Sequence, residues 1–219
     1  MESSEIIKSI NSIYKKYHSP QNLARHMKQV AAVAALICDN SKIKVDKENI
    51  VAAAIIHDLG QFIKMKLDGE NICLLDLADQ AKIDFFKETK KEFIAKYGSD
   101  DNIANTKIAR EIGAPKKVIE LLESKEVKAF AKNWNKKFEE RIILYADMRC
   151  SPHGVVSLEE RLAEGNKRYN LNRDEAHKEF SRKFTVAMKE IEKELFEKLT
   201  ILPEDINSNS VKKYLDEWK

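Results

Sequence analysis

His57 and Asp58 close an apolar run, Ile50-Val51-Ala52-Ala53-Ala54-Ile55-Ile56, and Leu59-Gly60 follows. A titratable pair at the end of so apolar a segment is costly to bury without a partner. A divalent metal ion is one such partner, because it takes neutral imidazole nitrogen and anionic carboxylate oxygen together. Two more residues share this character. His26 sits in Leu23-Ala24-Arg25-His26-Met27, and Asp147 ends Arg141-Ile142-Ile143-Leu144-Tyr145-Ala146-Asp147. Two imidazoles and two carboxylates suit one ion of Mn, Fe, Co, Ni or Zn better than Mg. The competing reading is simpler: His-Asp dipeptides arise by chance, and an inward histidine is commonly a hydrogen-bonded core residue.

The elements that would carry these residues are helical. Proline and glycine are scarce, helix formers abound, and no segment alternates with period two. The fold class expected is all-α, a multi-helix bundle. A first helix is expected over about Ser4–Tyr17, with Ile6, Ile7, Ile10, Ile13, Tyr14 and Tyr17 at helical spacing. Ser19-Pro20 reads as a cap and first position for a second helix reaching Asp39. His26, four residues before Val30 and three after Leu23, lies beside that helix's apolar stripe. Asp46 reads as the N-cap of a third helix over Lys47–Asp58, which Gly60 would end in a left-handed conformation. Consecutive helical residues point about 100° apart, so His57 and Asp58 can share an ion only near the helix end.

Further on, Gln61–Asn71 reads as a loop and Leu74–Tyr97 as helical. A helix capped by Asp101 or Asn102 runs to Ile112, and another starts at Pro115. A charged stretch around Lys125–Asn135 precedes the helix that ends at Asp147. Cys150–Gly154 reads as a loop, and Ser157-Leu158-Glu159-Glu160 as a capping box. A long helix from Asn172 or Asp174 carries Phe180, Phe184, Met188, Ile191, Leu195 and Leu199, and a tail helix covers about Ser210–Trp218. Residues 1–170 are expected to form the metal-binding helical domain and 171–219 a C-terminal helical extension packed on it.

The order His26, His57-Asp58, Asp147, within Leu23-Ala24-Arg25-His26, His57-Asp58-Leu59-Gly60 and Tyr145-Ala146-Asp147, resembles the HD-domain family of metal-dependent phosphohydrolases. The resemblance covers about residues 20–168, including Val156-Ser157-Leu158-Glu159-Glu160-Arg161. It implies a helical fold, metal ligation by His26, His57, Asp58 and Asp147, and hydrolysis of a nucleotide or other small phosphate ester. Asp58 would both ligate the ion and orient the attacking water. Arg25 and Arg149 flank ligand positions and could hold substrate phosphate through their planar forks, the bland alternative being a salt bridge or a solvated side chain. Many relatives carry a basic residue directly after the His-Asp-x-Gly motif. Gln61 stands there in this chain, and Lys64 could replace that base. Two further family histidines fall near Asp101 and Lys125, which points to one ion rather than two.

Composition narrows the partners. A formal net charge of +3 does not imply nucleic acid. Of 39 basic residues only eight are arginine, so the lysine excess reads as solvated helix surface. Cys38, Cys73 and Cys150 read as reduced, small core residues of a cytoplasmic protein. The longest apolar run, Val30–Cys38, is too short to span a bilayer. Two rival functions remain: a helical binding or regulatory module that keeps the fold without catalysis, and a scaffold whose long C-terminal helix recruits a partner or makes a homo-oligomer.

Overall fold

The computed structural model describes residues 1–124, 137–170 and 174–218, apart from the side chains of 70, 71, 74 and 168–170. Lys125, Trp134 and the charged stretch expected around them lie outside the described residues. Among the described residues there are twelve α-helices, and the only paired strands are the two-residue arms of one hairpin. The fold is all-α.

Helix α1 (Ser3–Lys8) and α2 (Ile10–Lys16) divide the single helix expected at the N-terminus. The break falls at Ser9, whose backbone (φ −97°, ψ 11°) leaves the helical region. Ile6, Ile10 and Ile13 are still buried, Ile7 packs half-buried against the core, and α1 lies against α4 (Lys47–Ile56).

The centre of the molecule is α3 (Gln21–Asp39) paired with α4. Ala31, Ala32, Ala34 and Ala35 on one helix and Ala52, Ala53 and Ala54 on the other are all buried. Small side chains let the two backbones approach closely. Val30, Ile37, Ile50 and Ile55 fill the space around them and are fully buried, each worth about 1.5–3 kcal/mol of transfer free energy. Pro20, not Ser19, occupies the N-cap of α3 and makes no side-chain cap. The first amide, Gln21 N, instead donates to the buried Asp79 Oδ2 at 2.6 Å. An acceptor 58 residues away does the capping. Asp46 caps α4 as expected, accepting from Asn49 N at 3.2 Å.

After α4 the chain enters a 3-10 turn, Leu59–Lys64, where a loop was expected. Its anchor is Phe62, fully buried and edge-on to Phe86 (5.8 Å) and Phe93 (5.4 Å) of α6 (Ile83–Tyr97). A second 3-10 turn, Gly69–Leu74, and the short α5 (Leu77–Gln80) precede α6. Cys73 lies on that second turn and is exposed, against the expectation of a core cysteine. Cys38 and Cys150 are buried, and burial pushes the Cys38 thiol up to about 12.

Helix α7 (Asp101–Ile112) is capped by Asp100, one residue before the expected cap, and packs on the 3-10 turn after α4. Helices α8 (Lys116–Ser124) and α9 (Phe138–Asp147) pack on α4, and α9 also on α3. The expected Cys150–Gly154 loop is a tight hairpin, with β1 (Cys150–Ser151) antiparallel to β2 (Gly154–Val155). Ser157 and Glu160 then form the expected capping box of α10 (Leu158–Asn170).

Helix α11 (Glu175–Phe196) starts after its N-cap Asp174 and lies on α9 and α10. Met188, Ile191 and Leu195 are buried, Phe184 packs on the core, and Phe180 is 38 % exposed. Helix α12 (Ser208–Glu217) packs on α3. Thr200 N donates to Asn40 O (2.9 Å) and Lys42 N to Lys198 O (2.8 Å), tying the C-terminal segment to the α3–α4 connection. Buried residues of α11 and α12 belong to the same hydrophobic cluster as α3 and α4. No helix among the described residues is long and apolar enough to cross a membrane.

Candidate metal centre

His26 projects from the second turn of α3, His57 and Asp58 lie at the end of α4, and Asp147 ends α9. The α3–α4 pairing and the packing of α9 on both bring the three segments together. Ligand atoms of His26, His57 and Asp58 lie within 4.8 Å of one another. Asp147 Oδ1 stands 3.2 Å from His26 Nε2 and 3.7 Å from His57 Nε2, and Asp58 Oδ2 stands 3.7 and 3.5 Å from the same two nitrogens. Donors held at ~2.0–2.2 Å by one ion sit roughly 3.0–3.5 Å apart as neighbours. Two of the four observed spacings, 3.2 and 3.5 Å, fall in that range, and the other two, both 3.7 Å, lie just above it.

The tautomer of His57 is set by its own helix. Its Nδ1 lies 2.7 Å from Ala54 O. A carbonyl can only accept, so Nδ1 carries the proton and donates. Nε2 is left facing the cluster, and it has no hydrogen-bond partner although the side chain is 0 % exposed. A buried nitrogen without a partner is a deficit of about 1–3 kcal/mol. A carbonyl-oriented imidazole whose other nitrogen faces carboxylates is the arrangement a metal uses. The side chains of His26, Asp58 and Asp147 are each about one-fifth exposed, so the cluster opens to solvent on that side.

Gly60 has a role other than the one its sequence position suggested. It is not in the left-handed region. A Cβ placed on it would meet Asp101 O at 2.2 Å and Asn105 N at 2.6 Å, both backbone atoms of α7. Glycine is required here by close approach, not by handedness. Gly60→Ala should therefore destabilise the fold by about 3 kcal/mol, the upper range for forced overpacking. Urea unfolding measures this; a loss below about 1 kcal/mol would show that α7 can move aside.

The HD-domain family profile matches residues 23–164, well over half of the chain, and spans all four cluster residues. The chain belongs to the HD-domain family. Neither a curated protein nor a solved structure matches it. HD domains are typically hydrolases that use divalent metals, and the donor set described above fits such an ion.

The basic residues picked from the sequence are placed differently from one another. Arg25 makes a two-pronged ion pair with Asp76, both contacts at 2.9 Å, and is 50 % exposed. Lys64 pairs with Asp101 and is 54 % exposed. Arg149 is 3 % exposed and points into the protein. Its Nε donates to Val156 O (2.6 Å), its Nη1 to Tyr145 Oη (2.6 Å) and Pro203 O (3.1 Å), and its Nη2 to Ile206 O (2.7 Å). The expectation of a phosphate-binding Arg149 is corrected on this point. All three of its nitrogens are engaged by groups of the hairpin, α9 and the C-terminal segment. His18, His153 and His177 are exposed, as their polar contexts suggested.

One residue at the centre escaped the sequence reading. Asn105 is buried on α7, and its side chain reaches the backbone of the His57–Gly60 turn. A signal for it existed: Asn105 precedes Ile108, Ala109 and Ile112 at helical spacing, so it lies on the apolar face of α7.

Proposed function

We propose that this protein is a metal-dependent phosphohydrolase acting on a nucleotide or another small phosphate ester, with one divalent ion held by His26, His57, Asp58 and Asp147. The observation that carries the reading is the buried, partnerless Nε2 of His57 facing two carboxylates and a second imidazole. When bound, the ion would supply an activated water and polarise a phosphoryl oxygen.

The chain's own residues do the rest. Asp58, at the solvent-facing side of the cluster, is placed to accept a hydrogen bond from the attacking water as well as to ligate. Arg25 and Lys64 are the basic groups proposed for the substrate phosphate. Each is held at present in an ion pair whose basic side chain is about half exposed, while its carboxylate partner is 29 % (Asp76) or 14 % (Asp101) exposed. A substrate phosphate would take the place of Asp76 or Asp101 in these pairs, and Arg25 offers the planar fork that phosphate matches. Arg149 has no part in this step.

The alternative is an HD fold that binds a phosphorylated ligand without turnover. The pairing of Lys64 with Asp101 favours it, because Asp101 stands near where many relatives place a further histidine. A screen of nucleotides and sugar phosphates, with and without added Mn or Ni, separates the two. Slow, metal-dependent phosphate release is expected. No turnover above that of Asp58→Ala under metal-replete conditions would leave the binding module as the better description.

A further inference from the structure

Asp58 leaves the helical region at φ −126°, ψ 17°, directly after His57 at φ −63°, ψ −20°. That departure has a consequence for ligation. Had α4 continued, His57 and Asp58 would diverge by about 100°. The altered backbone at Asp58 is what lets both side chains reach one locus, with His57 Nε2 and Asp58 Oδ2 3.5 Å apart.

The backbone polar groups at this turn must be satisfied, because Leu59 and Gly60 are buried. Gln61 N bonds to Asp58 O (2.9 Å) in the tighter 3-10 pattern rather than to His57 O. The two groups that an α-helical continuation would have used are taken by one side chain. Asn105 Nδ2 donates to His57 O at 2.8 Å, and Asn105 Oδ1 accepts from Gly60 N at 3.2 Å. A primary amide carries a donor and an acceptor side by side, and here they bridge the residues on either side of Asp58. Gly60, with no Cβ, allows α7 to come close enough for that bridge.

We propose that Asn105 is a positioning residue of the metal centre: it holds the turn from His57 to Gly60 in the non-helical form that directs His57 and Asp58 at the same ion. The inference rests on the metal-centre reading above. It predicts that the Asn105 amide sets metal affinity and coordination geometry, beyond its share in stability. Asn105→Asp keeps the size and the acceptor for Gly60 N but, as a carboxylate, loses the donor to His57 O. Asn105→Ala loses both.

The test is Co(II) binding to the full chain, by calorimetry and by the visible spectrum of the bound ion. Loss of a group that orients a ligand lowers metal affinity about 10–100-fold. Both variants are expected to bind Co(II) that much more weakly, with a changed spectrum. Val211→Ala, a buried site on α12, is the stability control; it should lower the melting temperature with unchanged affinity and spectrum. If Asn105→Ala does not fold, Asn105→Asp carries the comparison. Wild-type affinity and spectrum in the Asn105 variants would overturn the inference, as would an equal loss of affinity in Val211→Ala. Failure of the wild-type chain itself to bind Co(II) is a different result, and it would overturn the metal-centre reading together with this one.

Discussion

His57→Ala is expected to reduce bound transition metal from about one ion per chain to nearly none. A four-ligand protein site of the zinc type binds with about 10–16 kcal/mol. One ligand of four thus accounts for roughly 3–4 kcal/mol, or two to three orders of magnitude in affinity at 1.4 kcal/mol per factor of ten. His57 is the most informative ligand to remove, because its side chain is fully buried, whereas that of Asp58 is one-fifth exposed. The same site predicts a linkage effect. An ion present at a thousand times its Kd stabilises the native state by about 4 kcal/mol, and in a chain of this length each kcal/mol moves Tm by about 2–4 °C. Chelation should lower the wild-type Tm by about 8–16 °C and leave His57→Ala unmoved. Asp58→Ala should bind metal weakly and lose phosphate release altogether. Equal metal content in wild type and His57→Ala would falsify the assignment, whatever the activity screen shows.

Arg149→Ala should be among the most destabilising single substitutions in the chain, at about 4 kcal/mol. The guanidinium serves three carbonyls, Val156 O, Pro203 O and Ile206 O, and the hydroxyl of Tyr145. Tyr145 retains Glu192, to which its hydroxyl donates at 2.6 Å. Pro203 O keeps the amide of Ile206 (3.2 Å), whereas Val156 O and Ile206 O lose this donor, and each acceptor left unsatisfied away from water costs about 1–3 kcal/mol. Arg149→Lys keeps the charge but not the planar fork, so about half of the loss should remain. Thermal and urea unfolding of the metal-free protein measure both. The two roles considered for Arg149 diverge clearly here. A substrate-binding arginine would raise KM with little change in stability, whereas the buried clamp predicts the reverse. A loss under about 1 kcal/mol with a large rise in KM would restore the phosphate role.

Much of this molecule can be read from local pattern. The apolar runs ending at Asp58 and Asp147, the stripe beside His26 and the caps at Asp46, Ser157 and Asp174 depend on neighbours within a turn or two, and periodicity reports such neighbours directly. So do the all-α class and the order of the four ligand-type residues. What periodicity cannot carry is which distant groups meet. Arg149 follows Asp147 by two residues, and on that spacing alone a phosphate contact was as reasonable as a salt bridge. Only the packing of the hairpin and the segment at Pro203–Ile206 around it decided that the fork faces backbone carbonyls. Gly60 looked like a helix stop; the approach of α7, more than 40 residues later, makes it a contact glycine. Ser19 was the natural cap for α3, yet a carboxylate from α5 takes that place. The sequence by itself determined the four ligand-type residues and the ends of the helices that bear them, because helix propensity, capping and amphipathicity are short-range. The tertiary structure alone decided their common focus, the orientation of Nε2 and the bridge by Asn105, because each depends on close contact between segments far apart in the chain.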